Sequence, residues 1–201
     1  MPCAAITGTF PLNSLEEKQA NFGSYFLIKH ATKVNVKFID SSLVNQSMDE
    51  FEASMPYAFR IASELSEIES QALKPLRSLG DKLEDLVDYL QMQARKIDLM
   101  MSYILIQQDD EALRKTASKF GGGGVIVEHQ DAPELGQLAE VKIFLEKEAA
   151  AIFCLAEVIE VEHIDDLYQV SYVYTHIREQ DQELLVRASL HLQTSQLRKN
   201  R

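Results

Sequence analysis

The sequence predicts an α+β protein: an antiparallel β-barrel with long heptad-repeat helices inserted after its first strand and a helix at its C-terminus. Three observations carry this expectation. Short apolar strands joined by short loops follow one another through residues 125–174, a spacing that builds antiparallel sheet and closes readily into a barrel. A seven-residue apolar repeat runs through residues 76–104. From about Arg178 to Lys199 the apolar residues return at helical spacing.

Residues 1–47 read as an N-terminal tail followed by the first barrel strand or strands. Tyr25-Phe26-Leu27-Ile28 and Val34-Asn35-Val36-Lys37-Phe38 are rich in strand formers, and Val34, Val36 and Phe38 alternate. His30-Ala31-Thr32 is either the connection between two strands or a bend in one long strand, because it lacks the Asn-Gly or Asp-Gly of a tight hairpin.

Residues 48–108 form the helical, oligomerising segment. Met48, Phe51, Met55, Phe59, Ala62 and Leu65 recur at three and four residues, with Pro56 an alternative first turn and Pro75 a stop or kink. Leu76, Leu79, Leu83, Leu86, Leu90, Gln93, Ile97, Met100 and Ile104 then occupy a and d positions, with only Gln93 polar. Val87, Ala94 and Met101 widen the stripe beyond a two-stranded seam. A helix of roughly thirty residues is about 45 Å long, at 1.5 Å per residue. A domain of about 100 residues has a radius of gyration near 13 Å and cannot cover such a rod. The rod must meet the preceding helix, other chains, or both. Gln93 either specifies register and oligomer number or lies beside a water-filled gap.

Residues 109–201 form the barrel proper with its terminal helix. Gly121 to Gly124 make a turn feeding the strand Val125-Ile126-Val127, and Pro133 and Gly136 punctuate the next loop. Val141–Leu145, Ala151–Val161 and Leu167–Tyr174 are the following strands, with His163-Ile164-Asp165-Asp166 as a turn. In the last helix Ile177, Leu184, Leu185, Ala188 and Leu192 share a face. Glu179, Asp181 and Glu183 lie at its start and Arg198, Lys199 and Arg201 at its end, as the helix dipole favours.

Composition narrows the function classes. With 46% hydrophobic and 25% charged residues the chain is globular rather than disordered. No apolar run is long enough for a spanning helix, and the first ten residues lack a secretory pattern, so the expectation is a cytoplasmic protein without membrane insertion. Cys3 and Cys154 are too few for a disulfide framework or a zinc site. The net charge of −11 argues against nucleic acid as a partner. Residues 48–110, with six basic and thirteen acidic groups, are the most acidic stretch at −7.

Catalytic patterns are absent. His30, His129, His163, His176 and His191 are scattered, with no pair at helical ligand spacing. The four glycines precede a strand, not the Lys and Ser or Thr of a phosphate loop, so positive φ or a bulge explains them better than a phosphate cradle. Tyr168, Tyr172 and Tyr174 alternate on one strand and fit packing better than base stacking. The expectation is a non-enzymatic protein with no metal and no required cofactor.

One order of features resembles a known family. Ser118-Lys119-Phe120-Gly121 leads into an apolar strand, and Leu135-Gly136-Gln137-Leu138 precedes Val141–Leu145. The long strand ending Glu157-Val158-Ile159-Glu160-Val161 follows, then Tyr168 to Tyr174 and the helix with Asp181-Gln182-Glu183-Leu184-Leu185-Val186. Over roughly residues 109–201 this resembles a PilZ domain, the small barrel that receives cyclic di-GMP. A first strand near 25–39 followed by long heptad helices is similar to the tetrameric variety of PilZ-like proteins. The resemblance implies a homo-oligomer, a tetramer being favoured, and an adaptor role toward a signalling or motility protein that the sequence does not name. It also implies a degenerate ligand site at Arg114, Thr116, Ser118 and Gly121. Ser118 and Gly121 match the family's Asp-x-Ser-x-x-Gly segment, but Thr116 stands where an acid or amide belongs, and no arginine has another four residues later. Two lost arginine anchors at roughly 1.5–3 kcal/mol each remove about 3–6 kcal/mol, a weakening of about 10² to 10⁴. Cyclic di-GMP binding is therefore expected to be weak or lost. The alternative is a true receptor that uses Arg114 or arginines of a neighbouring subunit.

Overall fold

Six antiparallel strands close into a barrel in the order β1-β2-β3-β6-β5-β4. They are β1 (Ile28–Ile39), β2 (Arg114–Phe120), β3 (Gly124–His129), β4 (Leu138–Leu145), β5 (Ala150–Ile164) and β6 (Leu167–His176). The computed structural model describes residues 15–40, 46–62, 64–65, 68, 84–148 and 150–199. β1 closes the barrel by pairing with both neighbours, so that Val34 lies opposite Lys115 on one side and Ile143 on the other. Residues 28–39 are one strand bent at a register shift between Lys29 and Thr32, the second of the two forms expected there.

The strand alternation places Val34, Val36, Val125, Val127, Val141, Ile143, Ile152, Val158 and Tyr172 inside the barrel. β2 breaks simple alternation. Its two buried residues, Ala117 and Phe120, are three apart, because β2 carries one extra residue between Ala117 and Lys119 against β3. The bulge falls at Ser118 and returns Phe120 to the core. The sequence reading did not identify this strand. β5 is buried along nearly its whole first half, since one face lines the barrel and the other is covered from outside.

Helices supply that cover. Ser47 caps α2 (Met48–Ser54) through a capping box: its hydroxyl accepts from Glu50 N–H at 3.2 Å while the Glu50 carboxylate accepts from Ser47 N–H at 2.7 Å. Met55, just before Pro56, is extended (φ −62°, ψ 137°), which the proline ring enforces. The chain is helical again at 57–62, here α3, so Pro56 does mark a new first turn. Phe51, Met55 and Phe59 pack on Phe144, Phe153 and Leu155 of the outer barrel wall, with Phe51 and Phe153 stacked at 5.8 Å. α4 (Glu84–Ile106) brings Leu105 into the same cluster. α5 (Glu179–Lys199) places Leu185, Ala188 and Leu192 against the barrel core.

Two expectations need correction. The N-terminal tail contains a helix, α1 (Leu15–Phe22), tied to β5 by Lys18 to Glu157 at 2.7 Å and by Gln19 Nε2 donating to the Ile159 carbonyl at 2.6 Å. Ile159 sits at a β5 register shift, where the ladder is irregular and a carbonyl can be met from outside. Tyr25-Phe26-Leu27 precede β1 rather than belong to it. Leu76, Leu79, Leu83 and the question of how the chain turns at Pro75 lie outside the described residues.

Candidate functional site

β2 carries the residues that the resemblance singles out. Arg114 opens the strand, Thr116 lies opposite Lys33 of β1, Ser118 occupies the bulge and Gly121 follows the strand end. All four therefore lie along one short path, but the side chains of Arg114 and Ser118 already have partners.

The Arg114 guanidinium holds Asp109. Its Nε lies 3.0 and 3.2 Å from the two carboxylate oxygens, and Nη2 lies 2.9 Å from Asp109 and 3.5 Å from Glu111. Asp109 also accepts from Asn35 Nδ2 at 2.9 Å and lies 3.5 Å from the Lys33 ammonium. Burial pushes the Asp109 carboxyl up, but hydrogen bonds from Arg114 and Asn35, with the charges of Arg114 and Lys33, hold it below its ordinary range. The same contact with Asp109 raises Arg114. Asn35 is buried and its side-chain oxygen accepts from Asp110 N–H at 2.8 Å, so this network ties the end of α4 to β1 and β2.

The Ser118 hydroxyl donates to Gln169 Oε1 at 2.7 Å, and Gln169 Nε2 donates to Glu128 at 3.2 Å. A carboxylate thus stands behind the serine, an unfavourable neighbour for a phosphate oxygen. Thr116 is exposed.

Packing explains the four glycines. Gly136, with φ +81°, is the only described glycine at positive φ, so of the two forms expected at residues 121–124, positive φ or a bulge, the first does not hold. A Cβ at Gly121 would run into the Phe26 carbonyl, and one at Gly123 into the Tyr25 ring. At Gly124 it would meet the Tyr172 carbonyl and the Phe22 ring, and at Gly122 it would stand 2.6 Å from Val186 Cγ2. Gly121 N–H donates to the Gly124 carbonyl at 3.0 Å, and Gln182 Nε2 donates to the Gly122 carbonyl at 2.8 Å. The turn is pressed between the 22–26 segment and α5, so the chain itself occupies the space above these glycines.

His129 and the tyrosines of β6 are held within the barrel. The Tyr172 hydroxyl donates to His129 Nε2, taken as the unprotonated nitrogen, at 2.9 Å. Burial, with the Lys115 charge adding to it, lowers His129 to about 4, so it is neutral in the fold. Tyr172 is fully buried, and Tyr168 and Tyr174 pack against the same core. Burial pushes the Cys154 thiol up, far from thiolate reactivity. Among the described residues no group of three His, Cys, Asp or Glu side chains could hold a metal, and no helix is long and apolar enough to cross a membrane.

The residues expected to mediate oligomerisation divide by exposure. Leu86, Ile97, Met100 and Ile104 are exposed, Leu90 and Gln93 half-buried. Met101, expected to widen the seam, is buried within its own chain, as is Leu105. Sequence reading missed Asp109 and Gln169, the residues that occupy Arg114 and Ser118. Asp109 lies within the polar run Gln107 to Glu111 and Gln169 sits in a strand among tyrosines; neither position carries a pattern that announces its partner.

No family model matches this sequence, and no curated protein matches it either. Solved structures do. The chain is similar to a Xanthomonas campestris protein described as a new tetrameric PilZ domain self-assembled via an unusual helical bundle, at 14% identity and a TM-score of 0.55, over 90% of this chain and 96% of that one. A lesser similarity, with a TM-score of 0.39 and 20% identity, links 41% of this chain to 42% of the Bacillus subtilis inhibitor of motility, MotI/DgrA. The second score is too low to bear on the fold. The first spans nearly both chains: with its closed six-stranded antiparallel barrel and C-terminal helix, this chain has a PilZ-like fold.

Proposed function

We propose that this protein is a non-enzymatic PilZ-like adaptor in cyclic-di-GMP or surface-motility signalling, oligomerising through the helices of residues 48–108, with its own ligand binding weak or lost. The observation that carries the reading is the prior engagement of the degenerate site. Arg114 is committed to Asp109 and Glu111, and Ser118 to Gln169. A dinucleotide would have to break these contacts and then face Glu128. This weighs against the alternative receptor that relies on Arg114.

Thermal melting with cyclic di-GMP tests the ligand part. A receptor with a dissociation constant near 1 μM would be stabilised by about 2.7 kcal/mol at about 100 μM ligand. The expected result is no shift in the melting midpoint, and a shift of several degrees would contradict it. Light scattering at micromolar concentration tests the assembly: a particle larger than one chain is expected, Leu90→Asp should reduce its mass, and a monomeric wild type would sink the reading.

A further inference from the structure

The outer side of α5 carries a surface unlike the rest of the chain. Leu185, Ala188 and Leu192 turn inward to the barrel core. Val186, Leu190 and Leu197 instead share one outer stripe, within about 40° of one another at about 100° per residue, and are 44–63% exposed. The glycine turn joins that stripe to the 22–26 segment. A Cβ at Gly122 would meet Val186, one at Gly123 the Tyr25 ring, and one at Gly121 the Phe26 carbonyl. Tyr25 and Phe26 are themselves 42% and 48% exposed. Tyr25 packs edge-on against the buried Phe22, with ring centres 6.1 Å apart, which holds it in place without covering it. Further along, Gln196 Nε2 donates to the Lys29 carbonyl at 2.9 Å, so α5 stays beside the start of β1.

Cations rim this apolar surface, in a chain whose net charge is −11. The acidic residues of α5, Glu179, Asp181 and Glu183, all lie at its start; residues 184–198 contain none, but include Arg187 and Arg198, both exposed. Lys29 of β1 stands directly opposite Lys119 of β2. Their neighbours Ile28 and Phe120 are buried, so strand alternation turns both lysines to the outer wall, where they are exposed. Like charges directly opposed across two strands destabilise a sheet. Among the described residues the ion pairs belong to Lys18, Lys33, Lys37, Arg114 and Arg178, so no carboxylate of the chain relieves Lys29, Lys119, Arg187 or Arg198.

We propose that this face is a docking site for an acidic amphipathic segment of a partner protein. It gives the chemistry of the partner that the adaptor reading requires, and it rests on that reading. Charge complementarity selects the occupant: carboxylates of such a segment meet the four unpaired cations while its apolar side packs on Tyr25, Phe26 and the α5 stripe. The size agrees. Five half-exposed large side chains, at about 80–100 Å² each, present on the order of 400–500 Å² of apolar surface. One side of a standard interface is roughly 800 Å², about 57% of it apolar, or about 450 Å². Tyrosine, phenylalanine and arginine are also the residues enriched at such interfaces. An anionic bilayer fits less well, because its extended negative surface meets the charge of the whole chain and not only this face.

The test is selection of a displayed library of random peptides on the full chain, followed by fluorescence anisotropy of the enriched peptides against wild type, Leu190→Asp and Arg187→Glu. Both positions are exposed, and unchanged melting and circular dichroism confirm the fold. The expected peptides are acidic, with apolar residues at helical spacing; their affinity falls at least about tenfold in each variant and falls with added salt. Enrichment of basic or neutral peptides, no enrichment, or binding undiminished in both variants overturns the proposal. Wild-type binding to phosphatidylcholine–phosphatidylserine vesicles that both variants lose assigns the face to a membrane instead, and a reduced particle mass of the variants in light scattering assigns it to another copy. Saturable binding of cyclic di-GMP, measured separately, overturns the adaptor reading and leaves the peptide result to stand or fall alone.

Discussion

Lowering the pH should weaken the fold through His129, by an amount that its surroundings set. His129 is 3% exposed, its Nε2 accepts from Tyr172 at 2.9 Å, its ring lies 6.0 Å from that of Phe38, and the positive charge of Lys115 bears on it. Burial and that charge lower its folded value to about 4, against about 6.5 in an unfolded chain. Between these values the unfolded state binds the proton and the folded state does not, so stability rises with pH across the window and is lost as pH falls through it. At about pH 4.5 the linkage removes about 2.5 kcal/mol relative to neutral pH, taking 1.36 kcal/mol per pKa unit. Urea unfolding of wild type and His129→Gln at several pH values isolates the effect. Glutamine keeps an acceptor for Tyr172 but does not titrate, and carboxylates such as Asp109 cancel in the difference. The wild type should lose about 2–3 kcal/mol relative to the variant between about pH 7 and 4.5. A pH-independent difference would refute a neutral, buried His129.

Two substitutions test the packing account directly. Gly121→Ala drives a methyl group into the backbone carbonyl of Phe26 and should cost about 2–3 kcal/mol, whereas Gly122→Ala meets the movable side chain of the exposed Val186 and should cost about 1 kcal/mol. Chemical denaturation giving equal losses would contradict the ranking. Asp181→Ala removes the partner, at 2.7 Å, of the buried Arg178 guanidinium. Leaving that cation unpaired should cost about 3–5 kcal/mol, read by the urea midpoint, and a loss under about 1 kcal/mol would show that the pair is hydrated.

The parts of this fold that were legible share a physical property: a dense apolar signal within one element. Val141–Leu145 and Ala151–Val161 are long apolar runs, and α5 keeps a single apolar face. β2 escaped because its buried residues are Ala117 and Phe120 alone, separated by a bulge that shifts the period by one, with charged residues between the strand ends. α1 escaped because only Phe22 of its eight residues is buried and its hold on β5 is polar, through Lys18 and Gln19. The glycines were recognised as conformational, but their reason lies in Tyr25, Phe26 and Val186, residues distant in sequence that press on the turn. The resemblance names Arg114, Thr116, Ser118 and Gly121 without a strand to carry them; Arg114 is occupied by Asp109, five residues before it, and Ser118 by Gln169, across strands that no local spacing reports.

Calorimetric titration of the full chain with cyclic di-GMP, at low and at physiological salt, addresses the central claim most directly. With Arg114 held by Asp109 and Ser118 held by Gln169, no saturating heat is expected with ligand at several hundred micromolar, on the order of 10²-fold or more weaker than a micromolar receptor. Saturation below about 10 μM, weakened by salt and abolished by Arg114→Ala, would contradict it and make this protein a receptor in its own right.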